Sequence, residues 1–319
     1  MQKIIDEAKL GNPVIVLDTD KAALCVPAER ITGEVLNFMM KNCDEIRLAL
    51  PWRKIVELGI TSMAEVCIDV SRMSGLSLSG VYATLLTSDG SVASEEYAKD
   101  FASKNGFETF RIREMIEYRL KNEKIVERAV EATLPTKFYG IYKAVGYRTP
   151  LGEIVTLVKG EVWEGDVLVR IHSECLTGDV FHSLRCDCGD QLEHALKLID
   201  KEGKGVVIYM RGQEGRGIGL INKLMAYKLQ EEGVDTVDAN IKLGFPPDLR
   251  SYGIAAQILM DLGVRSIRLL TNNPLKIEEL KKYGFKVKRE AIEIEPCDLN
   301  LPYLKTKKEK LGHLLCLND

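Results

Sequence analysis

No apolar run in the 319 residues approaches the length needed to span a bilayer, and residues 1–7 lack the apolar core of a signal peptide. A cytoplasmic protein with no membrane partner is expected. A dominant charge is also missing: 44 Lys and Arg stand against 47 Asp and Glu, a formal net charge of −3. That balance argues against a nucleic-acid partner, which usually demands a strongly basic face. Any anionic ligand must then be met by a local cationic cluster. Repeats and low-complexity tracts are absent, and only four histidines occur: His172, His182, His194 and His313.

The cysteines lack a pairing pattern. Cys25, Cys43, Cys67, Cys297 and Cys316 are scattered, several in apolar contexts where a free thiol acts as a small hydrophobe. The other three, Cys175, Cys186 and Cys188, fall within one fourteen-residue stretch among Gly and Asp turn residues. In a cytosolic-looking chain this grouping points to a soft metal rather than to disulfides. Structural zinc sites are usually closed by four protein ligands, whereas catalytic ones keep a position open, so three thiols suggest chemistry. His182, inside the stretch, is either a fourth ligand or a packed ring. His172, ending a strand, would orient substrate or a metal ligand.

What is present is globular: 45% hydrophobic and 29% charged residues, in a chain long enough for two domains. Strand-like and helical patterns alternate, which predicts an α/β protein of two domains, both mixed sheets flanked by helices. The spacing predicts strands at 14–17 and 80–86, a helix at 32–41 and a long charged helix from 111 to about 131. The polar stretch 119–124 within it is read as the inter-domain joint, giving domains 1–122 and 123–319. Beyond it come a strand at 167–172, the cysteine segment, and a helix whose Leu192, Ala195, Leu196 and Ile199 share one face. A strand at 206–210, a glycine-rich loop and a helix follow. Further on, 254–262 reads as a helix, 267–271 as a strand, and 274–282 as a helix with proline in its first turn. Ligands in such folds gather where strands end and helices begin.

The loop from Met210 to Gly219 holds four glycines and two arginines, and among residues 204–228 Lys204, Arg211, Arg216, Lys223 and Lys228 face Glu214 as the acid. Glycine here would let backbone amides approach a phosphate, so a polyphosphate is one guest; a flexible loop with solvated arginines is the other reading. Asp248 and Arg250, two apart in a turn-rich segment, form either a surface ion pair or a functional one. Thr271, Asn272 and Asn273 are ordinary cap residues. Lys276 in the next first turn is unfavourable at the positive end of a helix unless an anion compensates.

The stretches from Arg170 to Asp179, Leu184 to Gly189, Glu214 to Leu220 and Leu269 to Pro274 resemble the signature segments of GTP cyclohydrolase II, in register over about residues 124–313. The resemblance implies a zinc enzyme that opens GTP to 2,5-diamino-6-(5-phosphoribosylamino)pyrimidin-4(3H)-one, formate and diphosphate, the first step of riboflavin synthesis. Cys175, Cys186 and Cys188 would hold one zinc per chain, and magnesium would accompany the triphosphate. Tyr227 would donate a proton or position the opening ring. Asp248 would accept a proton, and Arg250 would attack the α-phosphorus. A clamp on the α-phosphate is the simpler role for Arg250, because guanidinium is a poor nucleophile. Arg170, Ile171, His172, Ser173, Glu174, Gln191, Glu214, Gly215, Arg216, Thr236, Thr271 and Lys276 match GTP-binding positions. Glu214 could accept from the N1 and N2 hydrogens of guanine. A homodimer is expected. A non-catalytic zinc-containing nucleotide sensor, or a variant that stops after partial hydrolysis, are the competing readings.

The front third is different. Residues 11–18, 64–76 and 88–90 resemble 3,4-dihydroxy-2-butanone 4-phosphate synthase. The acidic loop expected after Asp18 is replaced by the short Thr19-Asp20-Lys21-Ala22-Ala23. Met63 and Thr84 stand where the family has histidine and glutamate, and a long central section is missing. Enolising a sugar phosphate requires acid–base groups and a divalent cation, so this domain is expected to be inactive and to serve as a scaffold. A bifunctional enzyme is the alternative.

Overall fold

The computed structural model describes residues 1–18, 21–49, 62–149, 152–245, 248, 250 and 252–317. Thr19, Asp20, the Met63 side chain, Pro246, Pro247, Leu249 and Ser251 lie outside the described residues. The chain forms two compact units, Met1–Arg119 and Leu120–Asp319.

Four successive apolar residues in β1 (Val14–Leu17) are all buried, as a strand covered on both faces requires. Val14 and Val16 join one core cluster, and Ile15 and Leu17 the other. Around this strand the first unit places α1 (Gln2–Leu10), β2 (Ala22–Pro27), α2 (Gly33–Asn42), β3 (Arg47–Ala49), α3 (Ser62–Met73), β4 (Gly80–Thr84), α4 (Glu95–Asn105), β5 (Glu108–Arg111) and α5 (Ile112–Asn122). Its described residues form a mixed sheet of order β3-β4-β2-β1-β5, with β1 antiparallel to β2 and parallel to β5. Thr32 caps α2 by accepting from the Val35 amide.

The second unit contains β6 (Glu127–Pro135), β7 (Ile141–Thr149), β8 (Gly152–Lys159), β9 (Asp166–Ser173), α6 (Leu176–Asp179), α7 (Cys188–Glu202), β10 (Gly205–Met210), α8 (Leu220–Glu231), α9 (Thr236–Lys242), α10 (Gly253–Asp261), β11 (Ser266–Leu270), α11 (Pro274–Lys282), β12 (Lys286–Glu290) and α12 (Leu301–Leu311). Its sheet has the order β12-β11-β9-β10-β8-β7-β6. β12, β11, β9 and β10 are parallel, and β8, β7 and β6 complete the sheet as an antiparallel meander. β9 and β10 are almost wholly buried; β10 is a continuous apolar run, whereas β9 buries Arg170 and His172 among its apolar residues.

The strand after β9 lies on one side of it and the next parallel strand, β11, on the other. The chain therefore switches direction at β9, and the loops leaving the carboxyl ends of β9, β10 and β11 diverge around a crevice. Among the described residues no helix is long and apolar enough to cross a membrane.

Two expectations are corrected. The charged helix does not continue to residue 131: α5 ends at Asn122, and Glu127–Pro135 pairs with β7 as an edge strand. Here the Ile125 amide donates to Gln257 Oε1, while the Gln257 amide donates to the Leu120 and Glu123 carbonyls. Those tertiary bonds, together with pairing to β7, override local helix propensity. The strand expected over 80–86 ends at Thr84, and Leu85 and Leu86 make only isolated bridges to Cys43 and Val92.

Candidate active site

The thiols of Cys175, Cys186 and Cys188 lie within 4.8 Å of one another. The first follows β9, and the third opens α7, so the sheet edge and a helix start fix both ends of the loop. A tetrahedral zinc with Zn–S bonds of about 2.3 Å needs sulfurs about 3.8 Å apart, and the Cys175–Cys186 sulfurs stand 3.7 Å apart. The three residues fit a thiolate-bound metal. Hydrogen bonds from the Cys186 and Cys188 thiols, helped by the Lys223 ammonium, pull the Cys175 thiol far below its usual range against the opposing effect of burial. His182 is exposed and is not part of the group, which among the described residues consists of the three cysteines.

Around the loop the polar groups form a second layer. His172 is buried with Nε2 2.9 Å from Asp179 Oδ1, and its ring stacks on Tyr209. Asp179 Oδ2 accepts from the Cys175 amide and the Tyr209 hydroxyl. Burial, reinforced by the Arg170 charge, lowers the His172 pKa despite Asp179, so the ring is neutral. Its role is to fix Asp179, which in turn fixes the backbone of the first cysteine. Asp187, between the second and third cysteines, is held by Lys307 Nζ at 2.9 Å and by Gln191 Nε2 at 2.6 Å.

Glu214, expected to read guanine, lines the cleft with both carboxylate oxygens engaged. One oxygen accepts from the Leu176 amide at 2.7 Å and the other from Lys223 Nζ at 2.5 Å, and the residue is buried. It braces the cysteine loop against the glycine-rich loop. Tyr227 lies one turn beyond Lys223 on α8, with its hydroxyl 3.2 Å from Thr177 Oγ1 and the Arg185 guanidinium over its ring. Burial raises its pKa, leaving a protonated hydroxyl.

Across the cleft stand cations. Arg250 makes a two-point ion pair with Asp248, 2.8 Å from Nε to Oδ1 and 2.5 Å from NH2 to Oδ2, and also donates to Ser173. Burial opposes the charge, but Tyr252 and Asp248 outweigh it and hold the guanidinium protonated. Lys276 is buried, donates to the Ile171 carbonyl at 2.8 Å and lies over the Tyr252 ring. No carboxylate among the described residues pairs with it. Burial and the Arg170 and Arg250 charges push its ammonium well below the usual value. Arg170 is likewise buried, bonded to Gln191 and the Leu270 carbonyl, with its Nε unpartnered. Such a wall is costly until an anion arrives.

These groups surround one open cleft. Every residue expected to bind nucleotide lines it except Ile171, which is fully buried and contributes its carbonyl. Asp248 sits behind Arg250 rather than on the wall. Gly215 and Arg216 both adopt left-handed backbone conformations (φ 59° and 67°), which tightens the loop and sends the Arg216 guanidinium to Thr236 at 2.6 Å. The surprise is α12. The lysine-rich residues 305–310 are helical, and Tyr303, Lys307 and His313 line the cleft. His313 is pushed down to about 3 by burial and by Lys307, Arg250 and Lys276, and is neutral at physiological pH. Asp187, Tyr303 and Lys307 were not singled out from the sequence, and Lys223 was read only as one of the cations around the glycine-rich loop. Asp187 could have been found as the residue between two metal-spaced cysteines, and Lys223 from its one-turn spacing to Tyr227.

The profile of GTP cyclohydrolase II matches residues 127–292, which contain all three cysteines and the cation wall. A relative described as GTP cyclohydrolase-2, from Archaeoglobus fulgidus, is 61% identical with the whole of both chains covered. The chain belongs to the GTP cyclohydrolase II family. As an enzyme of this family it also carries, over residues 2–66 and 61–118, matches to 3,4-dihydroxy-2-butanone 4-phosphate synthase. The alignment with the Archaeoglobus relative spans 378 positions against 319 residues here, so part of that relative has no counterpart. The RibBA riboflavin biosynthesis protein of Aquifex aeolicus is 52% identical over 78% of this chain, which spans only 62% of that protein. A crystal structure of RibBX, a two-domain 3,4-dihydroxy-2-butanone 4-phosphate synthase from A. baumannii, shares the fold with a TM-score of 0.65 at 21% identity, covering 92% of this chain and 99% of its own. α12 lies beyond the region that the GTP cyclohydrolase II profile covers.

Proposed function

We propose that the protein is a zinc-dependent GTP cyclohydrolase II of riboflavin biosynthesis, converting GTP to 2,5-diamino-6-(5-phosphoribosylamino)pyrimidin-4(3H)-one, formate and diphosphate. The observation that carries this reading is that the three-thiol group opens onto the same cleft as Lys276, Arg170 and Arg250. A sensor needs the cations alone; chemistry on the base needs both. Cys175, Cys186 and Cys188 would hold the zinc, which would supply Lewis-acid activation of water for hydrolysis at C8 of guanine.

The chain's own residues do the rest. Lys276, Arg170, Arg216 and Arg250 receive the triphosphate, with magnesium offsetting its remaining charge. Arg250, locked by Asp248 and protonated, acts as a clamp on the α-phosphate as diphosphate leaves; the same ion pair makes it a poor nucleophile and Asp248 a poor base. Tyr227, protonated and beside Thr177, donates a hydrogen bond or proton to the opening ring. The first unit is a scaffold without synthase activity. The working form is a homodimer, for which the exposed Ile221, Leu224 and Met225 on one face of α8 are candidate contacts.

The test is incubation of zinc-loaded protein with GTP and magnesium, with products identified by mass and formate and diphosphate assayed separately. Both co-products with the diaminopyrimidine are expected. Diphosphate without formate would refute the role of the thiol site, and GTP binding with neither product would leave the sensor reading. Light scattering on the same sample checks the dimer.

A further inference from the structure

Lys223 stands apart from the phosphate-facing cations. It is buried on α8, and its ammonium donates to Cys175 Sγ at 3.1 Å, Thr177 Oγ1 at 2.8 Å and Glu214 Oε1 at 2.5 Å. An ammonium has three N–H donors, so the group is fully committed. An ion pair kept only for stability would need Glu214 alone. Here two of three donors are spent on the cysteine loop, one of them on a metal-ligand sulfur. Glu214 completes the frame by accepting from the Leu176 amide, next to the same cysteine. Thr177 extends it to the Tyr227 hydroxyl.

The charge count explains the arrangement. Three thiolates around a divalent cation leave the centre with one negative charge, which weakens the cation as an electrophile. We propose that Lys223 is a positioning residue that cancels this charge through its hydrogen bond to the Cys175 sulfur, and that the same ammonium sets Thr177 and thereby Tyr227. The inference rests on the metal reading above. It does not make Lys223 a substrate contact. Partners that orient and tune ligands in this way typically matter by about 10–100-fold in affinity or activity.

The experiment is cobalt(II) substitution of the full-length protein, reading the thiolate-to-cobalt charge-transfer band in the wild type, Lys223→Met, Lys223→Met/Glu214→Gln and Lys223→Arg. The double variant removes the carboxylate that the single one would strand in the interior, so it carries the test if Lys223→Met does not fold. Losing an N–H···S bond makes the sulfur electrons easier to transfer, so the band moves to longer wavelength in both methionine variants and partly returns in the arginine one. In steady state with zinc, kcat falls about 10–100-fold while KM for GTP changes far less. A band at the wild-type wavelength in the methionine variants overturns the role of Lys223. A wild type that shows no thiolate band at all overturns the metal reading instead, so the two failures are distinguishable.

Discussion

Gly178 lies so close to the three thiols that an added Cβ would come 3.0 Å from Cys186 Sγ, 3.1 Å from Cys175 Sγ and 3.2 Å from Cys188 Cβ. The loop can gather its cysteines only because this residue has no side chain. Gly178→Ala should therefore cost about 1–3 kcal/mol through overpacking and lower metal content well below one per chain, measured by elemental analysis after dialysis. Full metal content in a folded variant would show that the loop yields easily. Arg250 offers a second test at this scale. If it clamps the phosphate, single-turnover reactions analysed by intact-protein mass should contain no guanylyl adduct, and Arg250→Lys should release diphosphate at roughly a hundredth of the normal rate, since lysine cannot reproduce a two-point grip. A trapped adduct would restore the nucleophile. The buried, unpaired Lys276 has the same logic as a helix-start cation in the sequence: its charge is supportable once an anion is present.

At the scale of elements, α12 is tied across the site. Lys307 pairs with Asp187 of the cysteine loop, Lys310 with Asp235 and Asp238 at the start of α9, and the Leu314 amide donates to the Asn272 carbonyl. Asp235 is also the N-cap of α9, accepting from the Val237 and Asp238 amides. Burial pushes its carboxyl up, but hydrogen bonds from Lys310 and those two amides prevail and bring it to about 2. A depressed carboxyl stabilises the fold above its unfolded value of about 3.9, and that contribution fades as pH falls through about 2. Asparagine keeps the cap and loses the charge. Urea midpoints of the wild type should therefore exceed those of Asp235→Asn at neutral pH, with the gap closing between about pH 4 and pH 2. A gap that persists at the acid end would assign the effect to something other than this carboxylate.

For the whole molecule, the first unit keeps a two-faced core, and its proposed role is that of a scaffold without synthase activity. Thr84, where a glutamate would be expected, serves structure, with its amide donating to Asp44 Oδ1 and its carbonyl accepting from the Asp44 amide. Apolar burial on both sheet faces does not depend on catalytic side chains. Ribulose 5-phosphate with magnesium should give no 3,4-dihydroxy-2-butanone 4-phosphate, monitored by mass, in protein that is active on GTP. Product formation would establish a bifunctional enzyme. Much of this organisation was legible beforehand. The helix opening at Cys188, the strand–loop–helix around Gly212–Gly219 and the Pro274 helix follow from apolar periodicity, glycine and proline. The β6–β8 meander and α12 were not. β6 is exposed at every position, so it carries no burial pattern, and nothing local to the lysines of α12 points to their acidic partners, which lie 72 to 120 residues away in the chain.

The sequence by itself determined the three-thiol group, the cationic loop and the family, because metal-ligand spacing and phosphate-binding turns are local chemistry written within a few tens of residues. Tertiary structure alone decided what each charged group is for. It set Glu214 between the Leu176 amide and Lys223, gave Lys223 to a thiol, left Lys276 and Arg170 without a carboxylate partner among the described residues, and drew Lys307 onto Asp187. The reason is physical: the energy of a charge depends on burial and on partners within a few ångströms, and those partners come from strands and helices far apart in the chain.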